Sequence, residues 1–128
     1  MKYMLLVHHD EEILNALDPN ELQNLRAESV HLANEINSNG GYVDAAPLHP
    51  APTGSCVQVR QGEQLITDGP FAETREQLGG YFLINAKDLD EALAIAARVP
   101  GARIGTVEVR PVVELPGLPV SKMSEAQP

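Results

Sequence analysis

Cysteine occurs once, cations number nine against eighteen acids, and no apolar run approaches the length of a membrane span. Each shortage excludes something. The single thiol, Cys56, forbids an internal disulfide and fits a reducing compartment, where it is expected to behave as a small apolar residue. With no paired base in view, it has no activating mechanism as a nucleophile. The deficit of cations leaves a formal charge of -9, which repels a phosphate backbone or an anionic membrane surface. Neither nucleic acid nor membrane is therefore an expected partner. The longest apolar runs, such as Met4-Leu5-Leu6-Val7 and Tyr81-Phe82-Leu83-Ile84, fall far short of the roughly 20 residues a bilayer requires. The amino-terminal stretch lacks an extended apolar segment followed by a small-residue cleavage site, so a cytoplasmic location is expected.

What is present suffices for one core. The chain has 128 residues, 43% of them hydrophobic, which is enough to bury one domain but hardly two. Tyr3 to Val7 is short and continuously apolar, the pattern of a strand covered on both faces. Asp18-Pro19 then sets a helix start, with Asp as N-cap, Pro at the first helical position and Glu21 at the third. Leu22, Leu25, Ser29, Leu32 and Ile36 follow at spacings of three and four, a stripe that faces a core, before Gly40-Gly41 stops the helix. Tyr42 to Leu48 reads as a second strand. Two prolines make His49 to Gly54 a loop. Ser55 to Arg60 and Gln64 to Thr67 form a hairpin around Gln61-Gly62-Glu63. Gly79 to Ala86 is a further strand, and Asp88 caps a second helix whose expected buried stripe is Leu89, Leu93, Ala96 and Val99. Ile104 to Val113 closes the domain, with Val107 and Val109 alternating against Glu108 and Arg110.

Read in order this is β-α-β, an inserted hairpin, then β-α-β: a ferredoxin-like α+β fold of the split βαβ type, two helices on one face of an antiparallel sheet. Both helices lie on one side, so the opposite sheet face is expected to be covered by a second copy, giving a homodimer through the sheet faces. The expected domain is 1–115. From 116 to 128, Pro, Ser, Gly and Gln without periodicity predict a flexible tail.

The segment Ile66-Thr67-Asp68-Gly69-Pro70-Phe71-Ala72-Glu73-Thr74-Arg75-Glu76-Gln77-Leu78-Gly79-Gly80-Tyr81 resembles the signature of the YCII-related proteins of the DGPF type. Asp88 to Leu93, Gly105 to Pro111 and the opening Met1 to Leu6 are also similar to that family. The resemblance implies a bacterial protein with a dimeric α/β-barrel type of ferredoxin-like fold and an unknown small-molecule ligand. Some relatives in the wider family are enzymes on small ring compounds, including dehalogenating steps, and use a His and an Asp. Proteins of the DGPF type often accompany alternative sigma factors. The resemblance therefore implies a small-molecule enzyme with lyase- or dehalogenase-like acid–base chemistry, or else a non-catalytic ligand-binding or regulatory module of a sigma-factor stress response. The His8-His9-Asp10 end of the first strand departs from the family pattern, so no role for those histidines is inherited.

Three residues stand as candidates. Asp68 ends a strand and is followed by Gly-Pro, a stiff turn that fixes a carboxylate toward a cleft, although turns also select Asp for its own backbone bonding. His31 sits in His31-Leu32-Ala33, a short stretch that resembles the place where the wider family carries its His. Helical spacing sets it between Glu28 and Glu35, which suits either a proton shuttle or a solvated polar face. His49 sits in the Pro-rich loop, within reach of an acid–base pairing with Asp68 or simply exposed. Arg75, between Glu73 and Glu76, reads as part of a solvated connection rather than an anion anchor. The run His8-His9-Asp10-Glu11-Glu12 lacks ligand spacing, since consecutive strand residues point to opposite faces, and no metal is expected. Gly79-Gly80 belongs to no nucleotide loop and predicts a bulge or a close backbone approach at the dimer sheet; no cofactor is expected.

Overall fold

The computed structural model describes residues 1–119. Among them the chain forms β1 (Lys2–Asp10), α1 (Glu11–Ala16), α2 (Pro19–Ser38), β2 (Tyr42–Pro47), β3 (Ser55–Arg60), β4 (Glu63–Asp68), β5 (Glu76–Asn85), α3 (Leu89–Ala96) and β6 (Gly105–Pro111). The main sheet runs β2-β5-β1-β6 and every neighbouring pair is antiparallel. With the β3–β4 hairpin set aside, this is the expected ferredoxin-like order, with α2 and α3 as its crossovers. No helix among the described residues is long and apolar enough to cross a membrane. Of the expected tail, residues 120–128 lie outside the described part.

Both long helices start where their caps dictate. The Asp18 side chain accepts from the Glu21 N–H at 2.8 Å, and Asp88 accepts from the Glu91 N–H at 2.9 Å. α1 was not foreseen: Asp10 accepts from the Glu12 N–H at 2.9 Å and turns the chain into a six-residue helix with Glu11 and Glu12 in its first turn.

Period-two alternation along β1 puts Tyr3, Leu5 and Val7 under the helices with Phe82 and Ile84 of β5. Leu5 and Ile84 are fully buried, a burial that stabilises by about 1.5–3 kcal/mol for each such side chain. From above, α2 contributes Leu32 and Ile36, and α3 contributes Ala92 and Ala96. The stripe of α3 is rotated from expectation: Ala92, Ala96 and Val99 face the sheet, while Leu89 and Leu93 stand about half exposed. Small side chains seat this short helix close to the strands, where a leucine would hold it away.

β1 is covered on one face, not two. On the open face Met4, Leu6, Tyr81 and Leu83 are half-buried and in register, Met4 opposite Leu83 and Leu6 opposite Tyr81, flanked by exposed Glu108 and Arg110. The β3–β4 hairpin forms a separate two-stranded sheet, exposed almost throughout. Gln61 and Gly62 alone make its turn, with φ of 51° and 77°, while Glu63 already pairs with Arg60. That is the doubly left-handed turn whose twist matches a two-residue hairpin, and glycine adopts it without penalty.

Candidate functional site

The apolar stripe of α2 behaves differently at its two ends. Leu32 and Ile36 are buried, but Leu22, Leu25 and Ser29 are only half-buried and face a groove of about 750 Å³ between the helix and the sheet. The cause lies below them: that stretch of sheet and the turn after α3 present Ala45, Gly79, Gly80 and Gly101, residues too small to fill the space. Leu78, Phe82 and Ile104 complete an apolar lining. A concave, mainly apolar hollow with a few polar groups on its rim is the usual form of a small-molecule site.

Those polar groups come from the end of β1, from α1, from α2 and from the β2–β3 loop. Between Val7 and His8 the pairing with β5 shifts by one residue, so Gly79 is the extra residue of a bulge. A Cβ on Gly79 would overlap the His9 imidazole, so the missing side chain is what seats that ring against the strand. The bulge expected of Gly79-Gly80 is thus present, and the group that approaches Gly79 closely is the His9 side chain of the same chain. Glu11 holds the β2–β3 loop: both carboxylate oxygens accept from the Ala51 N–H at 3.1 Å. That bond fixes the loop carrying His49, which lines the groove together with His9, Arg26 and Tyr42.

His49 also lines a second hollow of about 390 Å³, which shares Leu48, Pro50 and Leu78 with the first. Its far wall is the corner after β4, with Pro70, Phe71 and Ala72. The corner is tied down twice. The Gly69 N–H donates to the Gly54 carbonyl at 2.7 Å, and the Gln77 amide donates to the Ala72 and Thr74 carbonyls at 2.9 Å. Phe71 is nevertheless 88% exposed, an aromatic ring the protomer does not cover.

His49 is therefore the candidate that the fold brings to a hollow. Asp68 ends β4 opposite Ser55; it is exposed, lines neither hollow, and its carboxylate has no hydrogen-bond or ion-pair partner among the described residues. His31 is exposed on α2 and lines neither hollow. The carboxylates on either side of it are engaged elsewhere. Glu28 accepts from Arg103 at 2.9 and 2.7 Å, which holds its carboxyl below the usual range, and Glu35 pairs with Arg98.

The acid-rich run after β1 has separate local uses: His8 bonds Glu108 at 3.2 Å, Asp10 caps α1 and faces Arg75 at 3.8 Å, and Glu11 holds the loop. No group of three or more metal-ligating side chains is gathered among the described residues. On the open sheet face the Tyr81 hydroxyl donates to Asp44 at 2.8 Å, and this bond, with burial and the carboxylate charge adding to it, raises the phenol above its ordinary value. Sequence reasoning missed His9, Glu11 and Arg26 as groove residues. Gly79-Gly80 was the one signal for His9, because two adjacent glycines in a strand mark a place where something else approaches closely.

The family model for the YCII-related domain matches residues 1–116. A relative from Rhizobium meliloti (strain 1021), described only as an uncharacterised protein, is 33% identical over 114 residues, which cover 88% of this chain and 92% of the relative.

Proposed function

The chain belongs to the YCII-related family, and from that premise we propose that it is a small-molecule enzyme that holds its ligand in the groove beside α2 and transfers a proton through His49, in lyase- or dehalogenase-like acid–base chemistry. The observation that carries this reading is the position of His49, on the loop that walls both hollows and is fixed by Glu11. Imidazole changes charge near neutral pH, so it serves as donor and acceptor in one cycle. His9, seated on Gly79, supplies a second imidazole on the same groove. In this reading a homodimer forms through the open sheet faces, Asp68 takes part only where a second copy reaches its corner, and His31, exposed on the helix side of the sheet, takes no part.

The test is turnover and binding on a panel of chlorinated and hydroxylated ring compounds, followed by chloride release and by changes in ultraviolet absorbance. His49→Ala is expected to bind within about twofold of the parent chain and to lose about a hundredfold or more in turnover, the usual contribution of a positioned acid–base group. Equal turnover in both would remove His49 from the chemistry. A second reading, a non-catalytic binding or regulatory module, is favoured by one observation: the carboxylate on the groove rim, Glu11, is already occupied by the Ala51 N–H. Saturable binding with no turnover across the panel would select it.

A further inference from the structure

Three of the six arginines in this acidic chain are paired with carboxylates: Arg75 with Asp10, Arg98 with Glu35, Arg103 with Glu28; of the other three, Arg60 and Arg110 line neither hollow. Arg26 has no carboxylate partner among the described residues, and it stands on the helical wall of the groove. The neighbouring polar groups of that wall are satisfied within the helix. The Ser29 hydroxyl donates to the Leu25 carbonyl at 3.1 Å, and the Asn34 amide donates to the Val30 carbonyl at 3.0 Å. The one acid on the groove rim, Glu11, is turned to the Ala51 N–H. The groove thus combines an apolar floor with one exposed arginine of α2 that has no carboxylate partner, and with two histidines, His9 from β1 and His49 from the β2–β3 loop, in its lining.

We infer that the ligand is an amphipathic carboxylate. Its anionic end pairs with Arg26, its apolar body lies along Leu22, Leu25 and Phe82, and its reactive end is directed to His9 and His49. This rests on the groove being the ligand site. A guanidinium favours such an occupant because it donates to both oxygens of a carboxylate, while the floor supplies the burial a short-chain acid needs. A fixed polar body would strand its groups on Ala45 and Gly80, which offer no side-chain partners.

The experiment compares phenylbutyrate, phenylbutanol and phenylbutylamine on the full chain by NMR titration, with the Gly79, Gly80 and Gly101 amides as reporters on the groove. Phenylbutyrate is expected to bind about tenfold or more tighter than the alcohol, and the amine weaker than either. The preference should shrink as salt is raised. Arg26→Gln should bring the acid to the affinity of the alcohol and leave the alcohol unchanged, with Arg26→Lys intermediate because it keeps the charge and loses the fork. Alcohol and acid binding equally, or an acid preference that survives Arg26→Gln, overturns the anionic class and leaves the groove standing as a site. Glycine amides unmoved by all three probes would remove the groove itself, and with it the reading of function above.

Discussion

One methyl group decides the position of His9. Gly79→Ala would place a Cβ inside the imidazole, so the ring must leave its seat. Overpacking of this kind costs about 1–3 kcal/mol, a loss to be read from denaturant midpoints. Most of it should vanish when His9→Ala is combined with Gly79→Ala, because the clash then has no partner, and a strictly additive pair would show that the strand rather than the ring bears the cost. Tyr81 offers a second test. Its phenol is raised by the hydrogen bond to Asp44, so the bond's stability is fully present below the unfolded phenol value of about 10 and is lost as pH rises through the higher folded value. Alkaline absorbance titration should therefore show one tyrosine ionising late, and Asp44→Asn should move that step back toward the ordinary range. These residue-level facts were hardly legible in the sequence. Asp44 looked like a blemish in a strand, and nothing in linear order says that residue 9 will face residue 79 across a bulge.

Elements were far more legible, since caps and periodicity are local and the structure keeps them. Asp18 illustrates how a cap carries its own pH dependence. Its carboxyl is lowered chiefly by the Glu21 backbone N–H, so it contributes stability above the ordinary carboxylate range and loses it as pH falls through the depressed folded value. Asp18→Asn keeps an acceptor and should leave the melting temperature near neutral pH little changed while flattening its fall in acid; Asp18→Ala should lower it throughout. What local signals missed has a physical reason as well. The Asp10 cap was hidden inside a run that suggested metal ligands, so α1 was overlooked. In α3 helical spacing predicts Leu89 and Leu93 inward with Ala96 and Val99, but the sheet below already carries Tyr3, Leu5 and Ile84, which leaves the helix itself room only for alanines. The spacing along α2 predicts one core-facing stripe, of which only Leu32 and Ile36 are buried, and no pattern of its own could tell that the sheet under Leu22 and Leu25 would be built of glycine and alanine. The groove is a property of two elements together.

At the scale of the whole molecule, strand order and helix placement followed from the β-α-β reading, whereas the site depends on which loops meet, and only His49 among the three nominated residues reaches a hollow. Asp68 and Phe71 lie on a corner that one protomer leaves open, and the half-buried Met4, Leu6, Tyr81 and Leu83 form an apolar centre on the sheet face that no helix covers. Two copies joined through that face would bury it, with Glu108 and Arg110 on the rim able to meet their opposites across a twofold axis. Stable pairs of this kind bury about 800 Å² per partner, an area within reach of one sheet face. Sedimentation equilibrium should accordingly give twice the chain mass at micromolar concentration. Leu6→Arg sets a charge at the centre of the face, where an unpaired cation cannot be desolvated, and should give a single chain mass with unchanged far-ultraviolet circular dichroism. The fold would survive because Leu6 points away from the core formed by Leu5. A parent chain that sediments as one copy, or a Leu6→Arg chain that still sediments as two, would mean that the sheet face remains open to solvent or that the copies meet elsewhere. The hairpin residues Val57, Val59 and Ile66, exposed on one face, would then be the next surface to substitute.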